Sequence, residues 1–63
     1  MQISLKAAIV NKGFTQAFVG KKMGVTPKTV GSWEKGETMP KADKINPLCD
    51  LLGVKYDDIR WEA

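Results

Sequence analysis

The side chains in this chain that could do chemistry are lysines, hydroxyls and amides, because most of the usual catalytic and metal-binding groups are missing. The 63 residues include no histidine and a single cysteine, Cys49, so the sequence offers no zinc ligand set and no internal disulfide. Asp57 and Asp58 are adjacent acids, but charges in the first turn of a helix explain them better than an acid/base pair does. The composition therefore argues against an enzyme and predicts neither a metal nor a cofactor.

The lysines are concentrated in the first two thirds of the chain. Residues 1–41 hold seven lysines against two glutamates, a net charge of +5, whereas residues 42–63 carry a net charge of −2. A basic stretch of this kind is typical of a protein that binds a polyanion. The alternative is that scattered lysines only keep a small surface hydrated.

Residues 27–35 indicate how some of these lysines are presented. On a helical wheel of about 100° per residue, Val30 and Trp33 share one side and define a buried face. The opposite side is small, polar and basic, and it consists of Lys28, Gly31, Ser32 and Lys35, with Thr29 at its margin. Such a face, fixed by a preceding helix across a tight glycine turn, suits the major groove of B-DNA.

The helices that must position this face form an all-α domain. Apolar spacing and turn residues predict helices at about 3–11, 16–23, 27–35, 42–52 and 55–61. Thr15 and Thr26 are the expected N-caps of the second and third helices, and Gly24 is expected to end the second helix with a positive φ. Pro47 lies inside the fourth helix, so that helix is either bent there or restarted by Asn46 as a new N-cap.

Three local motifs fall in register with a known family. They are Thr15-Gln16 at one helix start, Gly24-Val25-Thr26 at the turn, and Trp33-Glu34-Lys35-Gly36 at the next helix end. The segment 15–36 resembles the helix-turn-helix of the Cro/lambda-repressor-like family. The similarity covers nearly the whole chain, and it extends through Met39-Pro40 and Leu51-Leu52-Gly53-Val54 to Tyr56-Asp57-Asp58-Ile59.

The resemblance implies a fold and a set of contacts. The fold is one compact five-helix domain over residues 1–63, with the second and third helices as the DNA-reading pair. The base-facing positions of the family match Pro27, Lys28, Thr29 and Ser32. The positions that touch backbone phosphate match Thr15, Gln16, Lys35 and Lys41.

Three residues depart from the family pattern. Ile9 stands where many members carry an arginine that pairs with the glutamate matching Glu34, so Glu34 is expected to pair with Lys6, Lys12, water or a backbone N–H. Gly20 replaces the usual alanine at the helix crossing, at a cost in helix propensity of about 1 kcal/mol. Phe18 occupies a position that is usually polar, and it either covers the edge of the first helix or belongs to a patch for a protein partner.

The sequence and the resemblance together predict a sequence-specific regulator that binds double-stranded DNA, of the small Cro-type phage or mobile-element repressor kind. It is expected to occupy its operator as a homodimer, through a surface formed by Tyr56, Ile59, Arg60 and Trp61. The alternative is a protein-interaction module of the same fold, either a modulator of a partner repressor or an antitoxin-like subunit. No membrane segment and no small-molecule ligand are expected, and the predicted location is cytoplasmic.

Overall fold

Four α-helices and one pair of short strands make up the protein, in a computed structural model that describes residues 2–61. The helices are α1 (Leu5–Asn11), α2 (Gln16–Met23), α3 (Pro27–Lys35) and α4 (Ala42–Leu52). The strands are β1 (Ile3–Ser4) and β2 (Ile59–Arg60), and a single 3-10 turn, Tyr56–Asp58, precedes β2. Within residues 2–61, no helix has the length and apolar character needed to cross a membrane.

Every helix contributes an apolar side chain to one core. Leu5 and Ile9 of α1, Val19 of α2, Val30 of α3 and Leu48 of α4 are each at most 2% exposed. Burial of one such side chain is worth about 1.5–3 kcal/mol. The core therefore fixes the orientation of α2 and α3 relative to the other two helices.

Cys49 belongs to the buried apolar residues of α4, at 5% exposure. Burial raises the pKa of its thiol, and the nearby carboxylates of Asp50 and Asp58 raise it further. The thiol is therefore neutral at physiological pH and packs as a small apolar group.

The N-caps predicted for α2 and α3 are confirmed. The Thr15 hydroxyl oxygen accepts a hydrogen bond from the Phe18 N–H at 3.0 Å, and the Thr26 hydroxyl oxygen accepts one from the Thr29 N–H at 3.2 Å. Pro27 is the first residue of α3, where its missing N–H costs nothing. The bounds of α2, α3 and α4 agree with the sequence prediction because their signals are local.

The first helix begins two residues later than predicted. The Ser4 hydroxyl oxygen accepts from the Ala7 N–H at 3.0 Å and makes Ser4 the N-cap, which leaves Ile3 free to join β1. An N-cap residue has extended backbone angles, so the chain before it is already suited to a strand.

The fourth helix is continuous through Pro47, so the second of the two alternatives, a restart at Asn46, is wrong. A proline inside a helix removes one backbone hydrogen bond and crowds the carbonyl four residues earlier. Here that carbonyl belongs to Asp43, in the first turn of α4. The helix tolerates the loss because Leu48, Cys49 and Leu52 bury its apolar stripe.

The fifth helix predicted at 55–61 is absent, and the all-α prediction missed the strand pair. The Lys55 N–H donates to the Asp58 carboxylate at 3.1 Å, which closes the 3-10 turn, and the chain then extends. Ile59 lies beside Ile3 in a parallel pair and is 1% exposed. Burial of this β-branched residue against the other end of the chain outweighs the small helix propensity of a short acidic segment.

The turn between α2 and α3 requires a left-handed residue, and Gly24 provides it with φ +74° and ψ 29°. Its N–H donates to the carbonyl of Gly20, and the N–H of Val25 donates to the same carbonyl at 2.8 Å. The second helix thus ends where the sequence predicted, and α3 starts two residues after Val25.

Gly24→Val is expected to lower the free energy of unfolding by more than about 1 kcal/mol, because a β-branched residue is strained at positive φ. Thermal unfolding should show a fall in Tm of at least about 4 °C. Gly24→Asn is the control, since asparagine tolerates the left-handed region and should retain most of the stability. An unchanged Tm for the valine variant would contradict this account of the turn.

Candidate nucleic-acid interface

The outward face of α3 is small, polar and basic. Val30 and Trp33 are 0% and 5% exposed and turn inward, while the Lys28 and Lys35 side chains are exposed and Ser32 is half-buried. A helix with its side chains is about 10–12 Å across, which matches the width of about 12 Å of the DNA major groove. The outward face, which consists of Lys28, Gly31, Ser32 and Lys35, carries no acidic side chain that the phosphates would repel.

One margin of this face is occupied by Gln16, the first residue of α2. Its amide nitrogen donates to the carboxylate of Glu34 at 2.6 Å, and this bond links α2 to α3. The same amide lies over Gly31, where a Cβ would be 3.3 Å from its nitrogen. Gln16 is thus the hydrogen-bond partner of Glu34, and it takes the place of the arginine that many family members carry at the position of Ile9.

The other margin carries Lys41. It is the exposed N-cap of α4, and it lines a groove together with Thr29, Trp33 and Lys44. Gln16 and Lys41 therefore lie on opposite sides of α3. This is the arrangement needed to touch the two phosphate strands that border a groove.

The threonine hydroxyl groups near the start of α3 already make hydrogen bonds within the protein. The Thr26 and Thr29 hydroxyl oxygens are 3.0 Å apart, so one donates to the other. Thr15 uses its oxygen as an acceptor at the start of α2, and its hydroxyl hydrogen can still be donated to an anion. Pro27 is exposed at the first position of α3.

Lys44 has a structural role that sequence reasoning missed. Its ammonium group donates to the carbonyl of Met23 at 2.9 Å, at the carboxyl end of α2 where a positive charge is favoured. The contact braces the turn that precedes α3. No local signal predicts it, because the two residues are 21 positions apart.

The chain is similar in sequence to known proteins. A profile of the helix-turn-helix family matches residues 5–59, which is most of the chain and includes all four helices. The chain belongs to this family, in its Cro/lambda-repressor-like branch. No solved structure gives a significant match.

Three relatives of this helix-turn-helix protein are informative. The uncharacterized HTH-type transcriptional regulator YgzD of Bacillus subtilis is 30% identical over 61 residues, which cover 97% of this chain and 92% of the relative. YazB, an uncharacterized HTH-type transcriptional regulator of the same organism, is 31% identical over 76% of this chain and 70% of its own length. The 26 kDa repressor protein of Escherichia phage HK022 is 38% identical over 62% of this chain, but the match spans 17% of that repressor.

The carboxyl-terminal side chains of the helix-turn-helix protein form a small aromatic surface. The Tyr56 and Trp61 rings stack with their centroids 5.6 Å apart, and the indole N–H of Trp61 donates to the Tyr56 carbonyl at 3.3 Å. Tyr56 is 47% exposed and Arg60 is exposed. Ile59, which was included in the predicted dimer surface, is a core residue at 1% exposure, so its side chain is not part of this surface.

Phe18 on α2 is accounted for within the fold. Its ring lies 4.6 Å from the ring of Phe14, which packs against the core, and the Lys22 ammonium sits 5.6 Å from its centroid. The side chain is 38% exposed. The ring therefore packs on Phe14, in the segment that joins α1 and α2, and part of it remains exposed.

Proposed function

We propose that this chain binds double-stranded DNA in a sequence-specific manner by inserting α3 into the major groove, and that it acts as a small Cro-type repressor. The observation that carries the proposal is the basic face of α3 between two margins formed by Gln16 and Lys41. Repression is favoured because one relative is named as a phage repressor. Bound at an operator, the domain would repress by occupying the site.

The proposed contacts divide into base reading and backbone positioning. Lys28 and Ser32 face the bases, where lysine binds guanine O6 and N7 and serine accepts either base type. Pro27 and Thr29 lie beside them and shape the approach. Phosphate contacts come from Thr15, Gln16, Lys35 and Lys41, which surround the base-reading residues.

The salt dependence of binding to a random duplex tests DNA binding itself. We expect a steep fall in the association constant with salt, with a logarithmic slope of about −0.9 for each phosphate that a lysine neutralises. A protein-interaction module of the same fold, such as a modulator of a partner repressor or an antitoxin-like subunit, should show no such slope. Selection from randomised duplexes then yields the operator, and a reporter placed behind it tests repression.

The proposed active species is a homodimer on a site with two-fold symmetry. One recognition helix covers few base pairs, and specific affinities of about 10⁻⁸ M or tighter usually need two modules. Half-sites are about 34 Å apart, and the chain measures 28 Å along its longest axis, so two copies would lie side by side. Tyr56, Arg60 and Trp61 supply the proposed contact surface.

Trp61→Ala is expected to weaken binding to the selected operator about tenfold while leaving binding to a half-site duplex unchanged, because it removes a buried aromatic contact between protomers. Val10→Ala is the control, since Val10 is exposed at 61% but belongs to α1. Stoichiometry measured on the operator should be two protomers. One protomer on an asymmetric site, with no effect of Trp61→Ala, would contradict the dimer.

A further inference from the structure

Glu34 has an unusual position for an acidic residue in a chain that we propose to bind DNA. It lies on α3, the helix assigned to the groove, and its half-buried carboxylate accepts a hydrogen bond from the Gln16 amide nitrogen at 2.6 Å. A negative charge within about 8–10 Å of a phosphate backbone opposes binding at physiological salt. The Glu34 carboxylate should therefore weaken DNA binding unless its contact with Gln16 offsets this repulsion.

The Gln16 amide rests on a part of α3 that has no side chain. A Cβ at Gly31 would lie 3.3 Å from the amide nitrogen, 3.7 Å from the amide oxygen and 3.8 Å from the amide carbon. The amide therefore lies across the helix surface, at contact distance from the place where a Cβ of residue 31 would stand. Gln16 is in this way presented at the edge of the basic face of α3.

The carboxylate decides which end of the amide faces α3. A carboxylate accepts hydrogen bonds and cannot donate them, so it selects the amide nitrogen over the amide oxygen. Hydrogen bonds to an ionised acceptor are about twice as strong as neutral ones. The nitrogen carries a second hydrogen, which is chemically available to a phosphate oxygen.

We propose that Glu34 is a positioning residue for DNA binding, which holds the Gln16 amide over Gly31 with its second N–H aimed at a backbone phosphate. The inference rests on the proposed function. In many family members the matching glutamate pairs with an arginine at the position of Ile9. Here Glu34 would instead act through Gln16.

The test compares Glu34→Gln with Glu34→Ala on a mixed-sequence duplex long enough for two half-sites. Both variants remove the charge, but glutamine keeps an acceptor oxygen for the Gln16 N–H. We expect Glu34→Gln to bind about 3- to 10-fold more tightly than Glu34→Ala, the worth of one hydrogen bond. The salt slopes of the two variants should be equal, because a neutral amide releases no counterion.

The same pair of variants in a Gln16→Ala background provides the control, and there the difference in affinity should disappear. Binding is measured well below the melting temperature of each variant, so a purely structural role of Glu34 would leave the two affinities equal. Two results would overturn the inference. One is equal affinity of Glu34→Gln and Glu34→Ala when Gln16 is intact, and the other is a difference between them that persists with Gln16→Ala. A wild-type chain that binds no duplex even at low salt would overturn the proposed function as well, and is thus a distinguishable result.

A second measurement does not require DNA. In ¹⁵N-resolved NMR spectra of the free protein, the two side-chain amide protons of Gln16 should be widely separated, because one of them is bonded to a carboxylate. Glu34→Ala should move both proton shifts to the values of a glutamine side chain that makes no hydrogen bond. Glu34→Gln should give shifts between these values and those of the wild type. Gln16 amide shifts that do not respond to Glu34→Ala would overturn the positioning role.

Discussion

Gly20→Ala is expected to destabilise the protein, although alanine is the better helix former by about 1 kcal/mol. Gly20 is buried in α2, and a Cβ there would lie 2.7 Å from the carbonyl oxygen of Val25, 3.2 Å from the carbonyl carbon of Thr26 and 3.3 Å from the nitrogen of Pro27. These atoms are backbone, so they can move only if the turn and the start of α3 move. Overpacking of this kind costs about 1–3 kcal/mol, which exceeds the gain in helix propensity, and we expect a net loss of up to about 2 kcal/mol.

Gly31→Ala is the matched control, because it is also a glycine-to-alanine change inside a helix. Its Cβ would contact the Gln16 side chain, which is exposed and can shift by a few tenths of an ångström. We expect this variant to gain up to about 1 kcal/mol, so that the two variants differ by the overpacking cost of about 1–3 kcal/mol. Thermal unfolding measures both, at about 4–8 °C per kcal/mol for a domain of this size. A higher Tm for Gly20→Ala than for wild type would show that the turn is not tightly packed against α2.

Lys28→Ala is expected to cost about 1–3 kcal/mol of affinity for the selected operator and to relax the preference at one base position. Lys28 is exposed on the face of α3 opposite the buried Val30 and Trp33, and the proposed docking would bring its ammonium group to a base edge. On a random duplex the loss should be smaller, because a specific base contact is not made there.

Lys35→Ala is the matched control, with the same charge removed from the last turn of the same helix. It should weaken the operator and the random duplex about equally and reduce the salt slope by about 1, since Lys35 is assigned to a phosphate. Titrations of both duplexes at several salt concentrations separate the two roles. Equal losses on both duplexes for Lys28→Ala would contradict its assignment to a base.

The expected roles of the lysines could be proposed from the sequence, but the long-range hydrogen bonds that hold the candidate interface in place could not. The bond between Gln16 and Glu34 joins residues 18 positions apart, and the bond from Lys44 to the Met23 carbonyl joins residues 21 apart. No periodicity or capping rule covers such separations. Ile9 in place of the usual arginine indicated that Glu34 needed a new partner, but the expected partners were Lys6, Lys12, water or a backbone N–H. The partner in the structure is Gln16, which was not among them.

The sequence by itself determined the local structure of this protein, and the tertiary fold decided how its ends are arranged. The bounds of α2, α3 and α4 follow from caps, glycines and apolar spacing, whose physical causes lie within about one helical turn. The last segment has weak local preferences, so long-range burial of Ile59 beside Ile3 replaced the predicted helix with a strand. Pairing between the two ends of the chain depends on the folded core that brings them together, and no signal near either end contains that information.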